Sequence, residues 1–293
     1  MLTQIFAIIA PVFAIAALGY IWERRKMPFD TTGISYLVSH IGAPALMIHT
    51  LLLNKPDLET AARIVVVAIA VVAVMAAVGW GVAKALKLEP KVYMPAVMFP
   101  NSGNMGVPLC LFAFGPEGLA YAVTYLAVMA GMQFSIGAGI ASGHISVKAV
   151  LTNPVIVAIA VAAVMLVTGA ELPGWTMNIL ELLGNILVPL MLLSLGTSLA
   201  KLQVAGFPRA VGFSVLRLAG GFIVANILVW ALGIEGVARG TVIVQSSMPI
   251  AVFSYMFAVR YNNRPEEIAG MVFISTLLSF ASLPFLMAYV LSL

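Results

Sequence analysis

The sequence predicts an all-α membrane protein: ten transmembrane helices arranged as two inverted five-helix repeats. Three observations predict it. Of 293 residues, 62% are apolar and only 9% are charged, whereas a soluble domain is about half apolar and a quarter charged. The apolar residues gather into ten long runs, and the connections between them are only about 3 to 10 residues long. Two of the runs, the fourth and the ninth, are broken by proline, glycine and amide residues.

A helix needs about 20 apolar residues to cross a bilayer core. The runs are Leu2–Trp22, Thr31–Leu53, Ala61–Ala83, Val92–Phe114, Gly118–Ile140, Ala149–Thr168, Trp175–Leu199, Ala205–Leu232, Val237–Val259 and Glu267–Leu291. They are continuous rather than alternating, which excludes a β-barrel. The connections have no room for a soluble domain or a nucleotide-binding unit. With 15 basic and 11 acidic residues, soluble-enzyme and nucleic-acid-binding readings drop out. The single cysteine, Cys110, excludes an internal disulfide and a cysteine metal cluster. The first run is read as a span, because Arg24, Arg25 and Lys26 follow it, while a signal peptide is basic before its apolar stretch.

Charge placement sets the orientation. The odd-numbered connections carry Arg24, Arg25, Lys26, Lys84, Lys87, Lys91, Lys148, Lys201, Arg209, Arg260 and Arg264; the even ones carry only Lys55, Arg63 and Arg239. The odd connections are therefore expected in the cytoplasm and both termini outside. Five spans is an odd number, so a second copy of a five-span unit lies upside down. The boundary falls between residues 145 and 146. Prolines recur at corresponding places in the two halves: Pro11 with Pro154, Pro44 with Pro189, Pro108 with Pro249.

The fourth run reads Met98-Phe-Pro-Asn-Ser-Gly-Asn-Met-Gly-Val-Pro-Leu109, and the ninth reads Val244-Gln-Ser-Ser-Met-Pro-Ile250. Proline deletes a backbone donor and glycine costs about 1 kcal/mol against alanine, so both make poor helix interiors. Proline suits the first turn of a helix, so Pro108 and Pro249 are each expected to begin a second half-helix. The free amides there point into the gap with the positive end of the helix dipole. Irregular backbone at that depth is tolerated only where protein buries it or where it lines a wet cavity. Asn101, Ser102, Asn104, Gly106, Gln245, Ser246 and Ser247 are the expected lining. A small carboxylate fits that description.

These residues resemble the auxin efflux carrier family, within the bile acid/arsenite/riboflavin transporter group that includes the plant PIN carriers and bacterial malonate and malate carriers. Phe99-Pro-Asn-Ser-Gly-Asn-Met-Gly-Val-Pro108 is similar to the Leu-Pro-Asn-Thr-x-x-Met-Gly-Ile-Pro stretch of the PIN carriers. Gln245-Ser-Ser-Met-Pro-Ile-Ala-Val-Phe253, followed by Tyr261-Asn262, resembles their Gln-Gly-Ile-Val-Pro-x-x-Phe and the asparagine after it, and Leu193-Ser-Leu-Gly196 is similar too. The resemblance implies that spans four and nine cross in an X. It implies a scaffold and homodimer surface from spans one, two, six and seven, and a mobile substrate-carrying unit from the rest. It also implies a bacterial inner-membrane location, and contact between Asn101 and a substrate carboxylate. The long cytoplasmic loop of many PIN carriers is absent, and Ser246-Ser247 replaces their Gly-Ile.

Arg217 and Glu181 lie inside spans, where a charge is costly unless paired or hydrated. Arg217 is a candidate to hold the anion or a helix C-terminus, with snorkelling as the structural alternative. Glu181 is a candidate for proton coupling or simply reaches the outer interface. His40 and His49 can titrate near neutral pH or pack as satisfied histidines. Gln133 either completes the pocket or bonds a neighbouring helix. No aspartate sits in any span, which argues against a carboxylate relay. No cofactor is expected, and coupling to Na+ or H+ stays open. The leading reading is a secondary carrier of a small organic anion; an anion channel or a transporter-like sensor is the alternative, as is a carrier of larger amphipathic anions. An intramembrane enzyme lacks its motifs.

Overall fold

The computed structural model describes residues 2–144, 152–202 and 206–293. Lys148, the boundary at 145/146 and the expected starts of two runs at Ala149 and Ala205 lie outside the described residues. Among the described residues there is no β-strand. Six helical segments are long and apolar enough to cross a membrane: Leu2–Arg24, Leu58–Ala85, Ser102–Ser142, Gly174–Lys201, Phe207–Ala231 and Pro265–Val290. Two shorter apolar ones are Val38–Asn54 and Pro154–Thr168.

Helix α1 covers Leu2–Arg24, and α2 (Thr31–Leu37) runs through a wide π-helical turn at Val38–Gly42 into α3 (Ala43–Asn54). Helix α4 (Leu58–Ala85) opens on Asp57, whose side chain accepts the Thr60 amide at 2.8 Å. That bond holds the Asp57 carboxyl below its ordinary range.

Helix α5 (Pro90–Met98) stops where the sequence requires it to. The residue before a proline is pushed out of the helical region, and Phe99, before Pro100, is extended at φ −108°, ψ 115°. A wide turn at Ser102–Gly106 leads into α6 (Val107–Met132). Gly115 (φ 66°, ψ −154°) interrupts α6 with a backbone that suits glycine alone. A Cβ placed on Gly118 would lie 2.8 Å from the Cys110 carbonyl oxygen. Eight residues of straight helix rise about 12 Å, so the chain turns back here, between the expected fourth and fifth runs. Another wide turn, Gln133–Gly137, precedes α7 (Ala138–Ser142).

The remaining helices are α8 (Pro154–Thr168), α9 (Gly174–Asn185), α10 (Leu187–Lys201), α11 (Phe207–Ala231), α12 (Gly236–Ser246), α13 (Val252–Arg260) and α14 (Pro265–Val290). Helix α1 lies along α10, with Gly19 against the Leu193 carbonyl and Gly196 against that of Ala16. Helices α12 and α6 pack together, and α11 packs on α14, α12 and α4. The outside is apolar: Leu2, Phe6, Val167, Trp230 and Phe285 are all more than 70% exposed, as suits a lipid-facing surface. The interior turns polar where the two breaks meet.

Candidate functional site at the crossing of two broken helices

The ninth run breaks for the same reason as the fourth. Met248 precedes Pro249, and α12 ends at Ser246. The extended stretches then pair as an isolated antiparallel bridge between Pro100 and Ile250. The Asn101 amide donates to the Pro249 carbonyl at 2.7 Å, and the Ala251 amide donates to the Phe99 carbonyl at 3.1 Å. Ile250 finds its acceptor in the Ser275 hydroxyl of α14 at 3.1 Å. The two unwound segments are thus tied to each other at the centre of the fold.

The helical path restarts at Ser102 and at Val252, which corrects one expectation. Pro108 does not begin a half-helix: it lies six residues downstream, in the first turn of α6 after the wide turn. Pro249 does not begin one either; it sits in the extended bridge and offers its carbonyl to Asn101. A proline's first-turn preference does not set where these helices resume; the steric rule on the residue before Pro100 and Pro249 decides the geometry.

Together the two breaks leave two C-terminal carbonyl sets and two N-terminal amide sets without helix partners. Arg217 of α11, fully buried, answers the first set. One Nη donates to the Val97 carbonyl at 2.8 Å and reaches that of Met98 at 3.4 Å. Nε reaches the Met248 carbonyl at 3.4 Å, and the other Nη donates to the Ser246 carbonyl. One guanidinium therefore caps the C-terminal ends of α5 and α12 together.

The N-terminal sets are answered less fully. The Asn101 carbonyl accepts from the amides of Met105 and Gly106 at 3.3 and 3.2 Å. Among the described residues no acceptor meets the amides of Ser102, Gly103 and Asn104, nor those of Val252 and Phe253. Beside the first set, Asn101 Nδ2 and Ser102 Oγ are buried without a hydrogen-bond partner. Leaving a buried polar group unpaired costs about 1–3 kcal/mol, so such clustering calls for a ligand or a purpose.

The other expected residues divide. Gln245 and Gly106 touch, since a side chain on Gly106 would run into the Gln245 amide. Gln245 Nε2 reaches the Ala122 carbonyl at 3.4 Å while Oε1 stays unpaired. Ser246 is engaged with the Tyr125 hydroxyl at 2.8 Å, and Ser247 donates to the Ile243 carbonyl at 2.6 Å. Asn104 is half-buried on the wide turn. Gln133 is buried with Nε2 unpaired, one turn before Gly137, which packs on the Phe99 ring. Phe134 next to it meets Phe253 edge-on at 4.9 Å. His49 is half-buried in α3; Glu181 is exposed on α9. His40 is exposed, stacked on Tyr36 at 3.8 Å and bonded to Ser39.

Sequence reasoning missed Tyr125, Ser275 and Thr241. Thr241 was findable, being one helical turn before Gln245 on the same face; its buried hydroxyl is unpaired as well. Tyr125 and Ser275 come from distant runs and carry no local signal. The cavities described, of about 380 and 10 Å³, open elsewhere, between α4 and α11 and beside Asn263.

In sequence the chain is similar to known membrane transporters. An uncharacterized transporter of Methanocaldococcus jannaschii is 29% identical over 192 residues, covering 62% of each chain. Another, from Methanothermobacter thermautotrophicus, is 28% identical over 197 residues, covering 64% of each. The chain thus spans a little under two thirds of the length of these curated relatives. A family model described as membrane transport protein matches residues 4–143 and 140–287. With nearly the whole chain matched, the protein belongs to the membrane transport protein family, the resemblance to auxin efflux carriers having pointed there.

Proposed function

We propose that the protein is a secondary carrier that moves a small organic anion by elevator-type alternating access, the carboxylate binding where the two broken helices cross. One observation carries the reading: two buried, unpaired side-chain groups, Asn101 Nδ2 and Ser102 Oγ, stand at the start of a half-helix whose first amides also lack acceptors. Asn101 Nδ2 and the amides can only donate, the hydroxyl can donate too, and the helix dipole adds positive potential. A carboxylate supplies the missing acceptors. Gln133, Asn104, Gly106, Gln245 and the Ser246–Pro249 stretch complete the proposed wall, with Pro108 behind it.

In this reading residues 1–145 and 146–293 are inverted five-span repeats, ten spans in all. The segments matching spans one, two, six and seven form the scaffold and the homodimer surface; the rest carry the substrate. The protein sits in a bacterial inner membrane with both termini on the outer side. Coupling to Na+ or H+ is a matter for the transport assay, and Glu181 and His49 are its candidate partners. Arg217 acts through the helix ends it holds. Malonate- or malate-like dicarboxylates are one substrate class. The Phe134–Phe253 pair beside Gln133 favours a second, auxin-like acids with an apolar body.

Counterflow in proteoliposomes tests this. A carrier preloaded with unlabelled carboxylate takes up label faster and saturates. Linear, unsaturable flux without trans-stimulation means an anion channel, and binding without flux means a sensor.

A further inference from the structure

A groove of about 380 Å³ opens between one end of α4 and the start of α11, walled by Val82 and Leu86 on one side and by Gly212, Phe213 and Leu216 on the other. Its volume is within the range of small-molecule sites. The walls are apolar, and the charged residue that lines it is Arg209. The neighbouring surface is apolar and open: Phe207, Val215 and Leu86 are each more than half exposed. Around Gly212 there is open space, with nothing within 4 Å of where a Cβ would stand.

Two arginines converge on one carboxylate at the mouth. Arg209 donates to one Glu267 carboxylate oxygen at 3.2 Å, and Arg264 donates to the other at 3.1 Å. The Tyr93 hydroxyl donates to the same carboxylate at 2.8 Å. Two guanidinium groups thus share one carboxylate, with Glu266 exposed beside it in the same first turn. Arg209 has five N–H donors and is half exposed, and its bond to Glu267 engages one of them. Lys87, in the turn after Leu86, has no carboxylate partner among the described residues.

We propose that this groove is a binding site for an anionic phospholipid. One acyl chain lies between α4 and α11, and the phosphate sits on Arg209 with Lys87 beside it. An apolar slot that opens to the bilayer and ends in a half-free guanidinium matches a lipid better than a soluble anion, which has nothing to place in the slot. Basic pockets between helices at the membrane surface recognise anionic headgroups by this combination. Because Glu267 also holds Tyr93 of α5, the headgroup would touch the network that anchors the first broken helix. The inference rests on the chain being embedded in a membrane and not on the identity of the transported substrate, so it stands or fails apart from the proposed function.

The test is lipid titration of the purified full chain in neutral detergent, read by native mass spectrometry, with phosphatidylglycerol, phosphatidylcholine and glycerol phosphate as probes. Phosphatidylglycerol is expected to bind more tightly than phosphatidylcholine. Arg209→Gln should reduce that preference about fivefold, and Lys87→Gln by less. Arg209→Lys, which keeps the charge, should retain most of it. Gly212→Leu fills open space and should weaken both lipids alike without lowering the melting temperature. Equal binding of the two lipids in the wild type, or an unchanged preference in Arg209→Gln, overturns the proposal. So does glycerol phosphate binding as tightly as phosphatidylglycerol, which would make Arg209 a soluble-phosphate site.

Discussion

Arg217 brings a full charge into the interior and needs no carboxylate there. The C-terminal end of a helix carries roughly half a negative charge. The ends of α5 and α12 both converge on the guanidinium, so together they supply about one elementary countercharge. That is why the absence of aspartate from the spans leaves Arg217 no worse off. Replacing it with methionine strands several buried carbonyls, each costing about 1–3 kcal/mol. Arg217→Met should lower the melting temperature of the purified protein by at least about 5 °C. Arg217→Lys keeps the charge but not the planar fork and should fall between. Equal melting of all three proteins would contradict the clamp. The sequence marked Arg217 as an intramembrane charge but could not say which of its readings held, because its acceptors, Val97, Met98, Ser246 and Met248, come from two other runs. Asn101 and Ser102 were legible as polar residues at membrane depth. That Ser246 and Ser247 are already engaged was not, since their partners are set by packing.

The two breaks were legible at the scale of elements because each is local: Phe99-Pro100 and Met248-Pro249 forbid helix at the preceding residue. Where the helices resume was misread, because a proline tolerated in a first turn does not have to create one. Position 108 lies inside a continuing helical path, so Pro108→Ala should change carboxylate binding by under about 1 kcal/mol. Pro100→Ala frees Phe99 to continue α5 and should weaken binding by a larger factor. The reverse order, with Pro108→Ala the more damaging, would return the break to position 108. At the start of α4, the Thr60 amide lowers the Asp57 pKa. A depressed carboxylate contributes stability that is complete above about pH 4 and is lost as pH falls through its lowered value. Thr60 amide protection measured by hydrogen exchange should decline over that acid range; protection independent of pH would mean that the Asp57 cap is inert.

For the whole molecule, composition settled the class, and the apolar runs located most helices within a few residues. The reversal at Gly115 fell between the fourth and fifth runs. What composition could not supply is the pairing of distant segments: the Pro100–Ile250 bridge joins residues 150 positions apart. Orientation rests on the bias of basic residues between connections. In a Cys110→Ala background, Lys87→Cys and Lys201→Cys should react with an impermeant maleimide only from the cytoplasmic side, and Lys55→Cys only from outside. The opposite pattern inverts the topology. In the proposed carrier, paired, unwound segments hold an anion through donors that the fold leaves unused. Calorimetric titration of mono- and dicarboxylates into the purified wild type and into Asn101→Ala tests it most directly. At least one carboxylate should bind saturably, about tenfold or more weakly in Asn101→Ala, with no loss of thermal stability; identical affinity in the two proteins would rule out this site.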